Sequence, residues 1–543
     1  MFLTRDTSKM SKASQEHQES VLTDEPCPDC NGTRLNAAAR SCKVQGYSIT
    51  QMCKMEFTEL KKVIDSITDS SVSTVVASLS STLSRLIEIG LPYLSLDRES
   101  STLSGGESQR LKLVRYMGSS LTDLTYIFDE PTTGLHPRDV WRMKKLLESL
   151  RDKGNSVLVV EHDKDVISGA DEIIDVGPNA GKKGGQIVYQ GSYEGLLEAD
   201  TITGRAMKMK FAYKENVRKA KSFLQLEHVS LHNLKDDSVN IPVGVMTVIT
   251  GVAGSGKSSL ISHAFADTYA DQVIKVDQGA ITATNRSMPA SYLSFFDEIR
   301  KMFSLATGED ESLFSFNSDG VCPVCHGKGV IVTELAFMDP VITPCEACNQ
   351  TRYNEKALDA KLNGKSIVEV LGMSAEEAIV FFSEIKKTGI GNEIKNVQVA
   401  QTANISRCVS KINSVIQRMI DCGLSYMELG QPLSTLSGGE RQRMKLAKHL
   451  GKKGNIYILD EPTTGLHISD TEKLLTLFDR IVDKGNTMII IEHDLDVARH
   501  ADWIIDVGPD GGKNGGQIVF EGTPTQMRDS AKTITAEWLR KEN

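Results

Sequence analysis

The sequence predicts an α/β protein in which one strand-and-helix unit is used twice. Three observations carry that reading. Gly251, Gly254, Ser255, Gly256, Lys257 and Ser258 stand in the phosphate-loop pattern G-x-x-x-x-G-K-S/T, with Ser259 directly after. A set of signals around residues 103–191 returns about 331 residues later. Between the phosphate loop and the second set lie Cys322, Cys325, Cys345 and Cys348, two C-x₂-C pairs separated by 19 residues.

The phosphate loop comes first because its context is specific. The run 245–250 is largely β-branched and reads as a buried strand, and 259–265 reads as a helix. The glycines therefore sit where strand turns to helix, and backbone N–H groups there face an anion. Lys257 can reach the β- and γ-phosphates, and the Ser258 hydroxyl can hold Mg²⁺.

The repeat is read from three matches. Leu103-Ser104-Gly105-Gly106-Glu107 opens an amphipathic helix, and Leu436-Ser437-Gly438-Gly439-Glu440 does the same 333 residues on. A hydrophobic strand ends in Asp129-Glu130, and its counterpart ends in Asp460-Glu461. A second strand ends in Glu161-His162, and its counterpart in Glu492-His493. Residues 170–191 and 501–522 agree at 16 of 22 positions. No phosphate-loop pattern precedes residue 251, so the first copy carries the signature, acidic strand and histidine without that loop.

The cysteine spacing predicts a closed tetrahedral thiolate site, the mark of structural zinc. Cys27 and Cys30 form a lone C-x₂-C, half a possible zinc site, with Cys42 and Cys53 outside any such pair. Cys408 and Cys422 read as plain thiols in a helical stretch. Residues 200–222 are rich in Lys and Arg and read as a solvated basic connector rather than a DNA contact. A net charge of -9 argues against a globally basic nucleic-acid coat. No apolar run reaches the ~18 residues of a membrane span, and the start has no apolar signal region. A cytoplasmic, non-membrane protein is expected.

The chemistry follows from the strand ends. Asp460 can hold Mg²⁺, Glu461 can act as general base toward water, and His493 can sense the γ-phosphate. With Lys257 these are the catalytic candidates, and the reaction is ATP hydrolysis. Gln278 is counted among the nucleotide-binding candidates.

Together these motifs resemble an ATP-binding cassette ATPase. Two cassettes with C-x₂-C knuckles before each signature, Cys27-Pro-Asp-Cys30-Asn-Gly-Thr-Arg, Gly327-Lys-Gly-Val and Thr351-Arg-Tyr-Asn, resemble UvrA, the damage-sensing ATPase of bacterial nucleotide excision repair. The resemblance covers the chain from about residue 25. It implies tandem cassettes with inserted helical signature subdomains and zinc modules. The boundaries expected are a polar lead-in and knuckle at 1–75, the later part of a first cassette at 76–200, a linker at 201–222, and a complete second cassette at 223–543 with a zinc insertion at about 278–430.

It further implies a composite ATP site. Lys257, Ser258, Asp460, Glu461 and His493 would face Ser104, Gly105 and Gly106. A second site would use Ser437, Gly438, Gly439, Asp129, Glu130 and His162, and would be empty or weak without a phosphate loop. Double-stranded DNA and a homodimer are implied as partners, with Lys328, Arg352 and Lys356 as phosphate contacts by position. UvrB is a candidate partner, although the family's UvrB-binding insertion lies upstream of the matched stretch. No nuclease constellation is present. Two other functions stay open: self-resistance to DNA-binding drugs, and an inactive half of a split or truncated protein.

Overall fold

The computed structural model describes residues 27–103, 105–118, 121–179, 181–209, 211–277, 279, 281, 286–335, 338–388, 399–450 and 454–541. The lead-in before Cys27, Ser104 and Gln278 lie outside the described residues. The chain divides after Gly118 into two compact units.

Among the described residues, the longest helices of the first unit are α1 (Phe57–Asp65), α2 (Ser73–Glu88) and α3 (Gly105–Met117). Phe57, Leu60 and Ile64 recur every three or four residues and form the buried stripe of α1. α3 is the signature helix. Its Arg110 is 1% exposed and donates to the carbonyls of Ile89 and Gly90, which fixes α3 against the end of α2.

In the second unit the first repeat supplies β1 (Thr125–Asp129), α4 (Pro137–Asp152), β2 (Ser156–Val160), β3 (Ile173–Gly177), β4 (Gln186–Gly191) and α5 (Ile202–Lys208). β1 and β2 pair in parallel, and β3 and β4 pair antiparallel in a separate sheet. Next come a hairpin, β5 (Ser222–Val229) and β6 (Asp237–Val243), the strand β7 (Met246–Thr250), and a helix over 259–268 that opens with a π-helical segment. β8 (Val273–Val276) leads into the insertion. This contains α6 (Phe296–Thr307), the hairpin β9 (Val330–Leu335) and β10 (Met338–Pro344), and the helices α7 (Ala375–Thr388) and α8 (Val399–Asp421). Then come α9 (Gly438–His449), β11 (Ile456–Asp460), α10 (Ile468–Asp483), β12 (Thr487–Ile491), β13 (Trp503–Gly508) and β14 (Gln517–Gly522), followed by the short helices α11 (Pro524–Ser530) and α12 (Ile534–Lys541).

The second repeat forms one six-stranded sheet in the order β8-β11-β12-β7-β13-β14, parallel except for the β13–β14 edge. Both faces are covered. Met246, Val248, Met488 and Ile490 pack on one side, and Ile249, Ile489, Ile491 and Ile505 on the other. That is why these strands are continuous apolar runs rather than alternating ones. The duplication extends to irregularities: β3–β4 and β13–β14 slip register at the same place, Asp175/Val176 and Asp506/Val507.

The basic stretch departs from the solvated connector that its composition predicts. Lys214 bridges Asp479 and Asp502, and Arg218 reaches Asp479, Asp483 and Asp502. Asp502 is 1% exposed, so its charge is compensated by this strap. Cys408 lies within α8 and Cys422 is buried just beyond it. Among the described residues no helix is long and apolar enough to cross a membrane.

Candidate nucleotide-binding site and metal centre

β7 is buried at every position and lies between β12 and β13. Gly251 follows it with φ of 134°, and a Cβ there would lie 2.1 Å from the carbonyl oxygen of Val507. Only glycine lets the loop leave the strand so close to β13. Lys257 is 6% exposed, and its Nζ donates to the carbonyls of Gly251 and Val252, each at 2.9 Å. Burial lowers this ammonium to about 8, against the pull of Glu461 and Asp460. Ser255 is fully buried, Ser258 is exposed, and the Ser259 hydroxyl lies 3.2 Å from His232 Nδ1.

Asp460 and Glu461 follow from β11, the second neighbour of β7 in the sheet. Glu461 leaves the strand in a left-handed conformation, φ 48°, its N–H bonded to the carbonyl of Ile491. Burial pushes its carboxyl up to about 8, with Asp460 and Glu492 adding repulsion. Burial also raises Asp460, while Lys257 draws it down. His493 stands at the end of β12, 8% exposed. Thus Lys257, Asp460, Glu461 and His493 gather at the ends of three adjacent parallel strands.

Two supporting residues carry no signal of their own in the motifs. Gln442 in α9 donates from Nε2 to the carbonyls of Asp460, at 2.6 Å, and Val276, at 3.1 Å. It ties the signature helix to the acidic strand. Glu492 accepts from the backbone and hydroxyl of Thr463 and from the His493 N–H, so it braces the turn after Glu461. Glu161 does the same with Thr132 and His162.

Ser437 caps α9 in a capping box with Glu440, whose other oxygen accepts from Tyr426 at 2.7 Å. Gly439 approaches its neighbour so closely that a Cβ would sit 2.4 Å from the carbonyl of Thr464. Gly438 starts the same helix. In the first unit Gly105 and Gly106 open α3, and Glu107 accepts from Tyr93 at 2.7 Å. Asp129 ends β1, and Glu130 lies 3.7 Å from His162. Within the second unit a cavity of about 390 Å³ is lined by Glu130, Glu161, His162, Glu492 and His493.

Cys322, Cys325, Cys345 and Cys348 are buried, with sulfurs all within 4.8 Å of one another. Cys325 and Cys348 lie 3.7 Å apart. Zn–S bonds of about 2.3 Å in a tetrahedron put sulfurs about 3.8 Å apart, so the set fits zinc. The Gly329 N–H points at Cys325 Sγ, 3.2 Å away. Cys27 and Cys30 repeat half of this turn: the Thr33 hydroxyl bonds to the Cys30 carbonyl at 2.6 Å, as Thr351 does to Cys348. No third ligand joins that pair among the described residues. Of the three cations expected on DNA, Lys328 is exposed, Arg352 lies over the Phe316 ring, and Lys356 pairs with Glu309 at 2.8 Å.

Comparison with known proteins bears on this geometry. A family model described as "ABC transporter" matches residues 234–464. The crystal structure of UvrA2 from Deinococcus radiodurans superimposes with a TM-score of 0.85 and 36% identity, covering 98% of this chain and 68% of that one. The chain belongs to the UvrA family. UvrABC system protein A of Aquifex aeolicus is 39% identical over 573 residues, covering 98% of this chain and 59% of the relative. That of Thermus thermophilus is 40% identical over 559 residues, covering 95% and 56%. The chain therefore spans somewhat over half the length of these UvrA relatives. The tandem cassette fold and the cysteine module match what the sequence predicts.

Proposed function

We propose that this chain acts as a UvrA-type DNA-binding ATPase in the recognition of damaged DNA. The observation that carries the reading is the convergence of Lys257, Asp460, Glu461 and His493 at the ends of three adjacent parallel strands. The backbone N–H groups of the phosphate loop and the Lys257 ammonium would hold the ATP phosphates. Ser258 and Asp460 would hold Mg²⁺, which supplies charge neutralisation. Glu461 orients a water and accepts its proton, and His493 contacts the γ-phosphate side. The work is positioning and electrostatics rather than covalent chemistry.

Ser104, Gly105 and Gly106 enter this reading from the family resemblance, as do Ser437, Gly438, Gly439, Asp129, Glu130 and His162 at a weaker second site. The four-cysteine set would hold structural zinc. Duplex DNA is the macromolecular substrate, with UvrB and a second copy of the chain as protein partners in the cytoplasm. The relatives' shared name, UvrABC system protein A, supports the excision-repair setting.

The test is ATP hydrolysis by the zinc-loaded chain with and without duplex DNA, beside Lys257→Ala. DNA-modulated turnover that the variant loses is the expected result. A folded chain that binds DNA but never turns over ATP overturns the enzymatic part. Binding insensitive to salt overturns the phosphate-contact part, because each phosphate neutralised adds to the salt dependence.

A further inference from the structure

The loop after Glu130 in the first repeat reaches into the site of the second. His136 ends that loop and caps α4, its Nδ1 accepting the Arg138 N–H at 3.2 Å. It is 1% exposed. Its Nε2 lies 3.3 Å from the Thr535 hydroxyl. Thr535 donates to Asp506 at 3.0 Å, so its oxygen is left to accept and His136 Nε2 carries the proton. The same Asp506 oxygen accepts from Thr250 at 2.8 Å. Thr250 is the last residue of β7, immediately before Gly251. Three hydrogen bonds thus run from the first repeat to the strand that carries the phosphate loop.

The imidazole is locked in one tautomer and one orientation. Burial, with Lys257 and Arg138 nearby, lowers it to about 3, so it stays neutral at any working pH. Its ring stands edge-on to that of His493, with centroids 6.2 Å apart and planes at 86°. Two residues earlier, Gly134 has φ of 68°, and a Cβ on it would lie 2.6 Å from a Glu461 carboxylate oxygen. Arg138 anchors the far side of the turn to Asp510 at 3.1 Å.

The mirror arrangement exists in the other direction. His467 lies 3.1 Å from Thr203, which donates to Asp175 at 2.8 Å, and its ring is 6.2 Å from that of His162. There the chain of bonds stops. The second oxygen of Asp175 is buried with no partner among the described residues, whereas Asp506 is joined to the phosphate-loop strand.

We propose that His136 is a positioning residue for hydrolysis at the other repeat's phosphate loop, holding His493 from across the repeat boundary and tying the loop after Glu130 to β7. This rests on the ATPase reading. It follows because a side chain fixed at both nitrogens is a rigid wall for its neighbour, and a displacement near 1 Å at a catalytic group can cost about 100-fold in rate.

His136→Asn tests it. Asparagine keeps the cap on α4 but is too short to reach Thr535. The expected result is a fall in kcat of about 10- to 100-fold, with the Kd for a fluorescent ATP analogue and the melting temperature essentially unchanged. Thr535→Val gives the same fall, and the double variant falls no further. His467→Asn, the mirror change, leaves turnover intact. Full turnover in His136→Asn, or an equal loss in His467→Asn, overturns the proposal. One readout needs no turnover: in chain labelled with ¹⁵N-histidine, Thr535→Val shifts the His493 ring resonances. An unmoved His493 overturns the proposal even where wild-type hydrolysis is absent, an absence that counts against the ATPase reading alone.

Discussion

The two repeats carry the same strands with opposite fates. Ile458, Ile489, Ile491, Ile505 and Val507 are each at most 1% exposed, whereas their counterparts Ile127, Leu158, Val160, Ile174 and Val176 are 71%, 53%, 54%, 54% and 63% exposed. The difference lies in what covers them. In the second repeat β7 is inserted between β12 and β13, and Leu260, Ile261 and Phe265 of the helix after the loop pack over that face together with the β5–β6 hairpin. In the first, β2 and β3 lie in separate sheets. The phosphate loop is therefore more than a ligand cradle, because its strand and helix are the central layer that joins a cassette into one core.

The largest effect that would sharpen this comparison is on turnover. Glu461→Gln is expected to lower kcat by about 10²- to 10⁴-fold, the range for loss of a general base. Glu130→Gln, its counterpart, should leave the rate of the 543-residue chain unchanged. Equal losses in both would break the asymmetry.

Stability comes next. Ile458→Ala should cost about 2–5 kcal/mol, the usual range for a buried isoleucine. Ile127→Ala should stay within about 0.5 kcal/mol. Urea unfolding of the two variants checks this, and a large loss in Ile127→Ala would show that its strand face is covered in solution.

The smallest effect is in pH. The Glu461 carboxyl, raised from 4.5 to about 8, must ionise to act as base, so kcat/KM should climb as pH rises toward 8. Lys257, lowered from 10.5 to about 8, loses its charge above that pH, so its hold on phosphate weakens and the curve turns down. The optimum is expected near pH 8, and Glu461→Gln should remove the acid limb. A flat profile would place both groups in a more solvated setting.

The elements legible in the sequence are those written in consecutive residues. The phosphate loop, the Asp-Glu strand ends, the signature glycines and the cysteine pairs are local patterns, and each fixes its own geometry through backbone and spacing. Contacts that join distant segments were not legible. His136 and Thr535 are 399 residues apart, and nothing in either neighbourhood marks the pair. The basic stretch shows the same limit. Its charges are plain in the composition, but Asp479 and Asp502, which neutralise Lys214 and Arg218, come more than 260 residues later. Gln442 stands inside a motif and is unremarked there because its partners are backbone carbonyls, which carry no residue identity.

The lysine of the phosphate loop turned inward has a further consequence. With its ammonium bonded to Gly251 and Val252, the loop grips itself. An ammonium has three N–H donors, so the third is left to meet a ligand without breaking either bond. A lone inorganic phosphate would reach few of the loop's donors, whereas a triphosphate would span the loop N–H groups and the lysine together. The loop thus acts as a jig for its own lysine, setting the ammonium's place through the backbone rather than through the ligand.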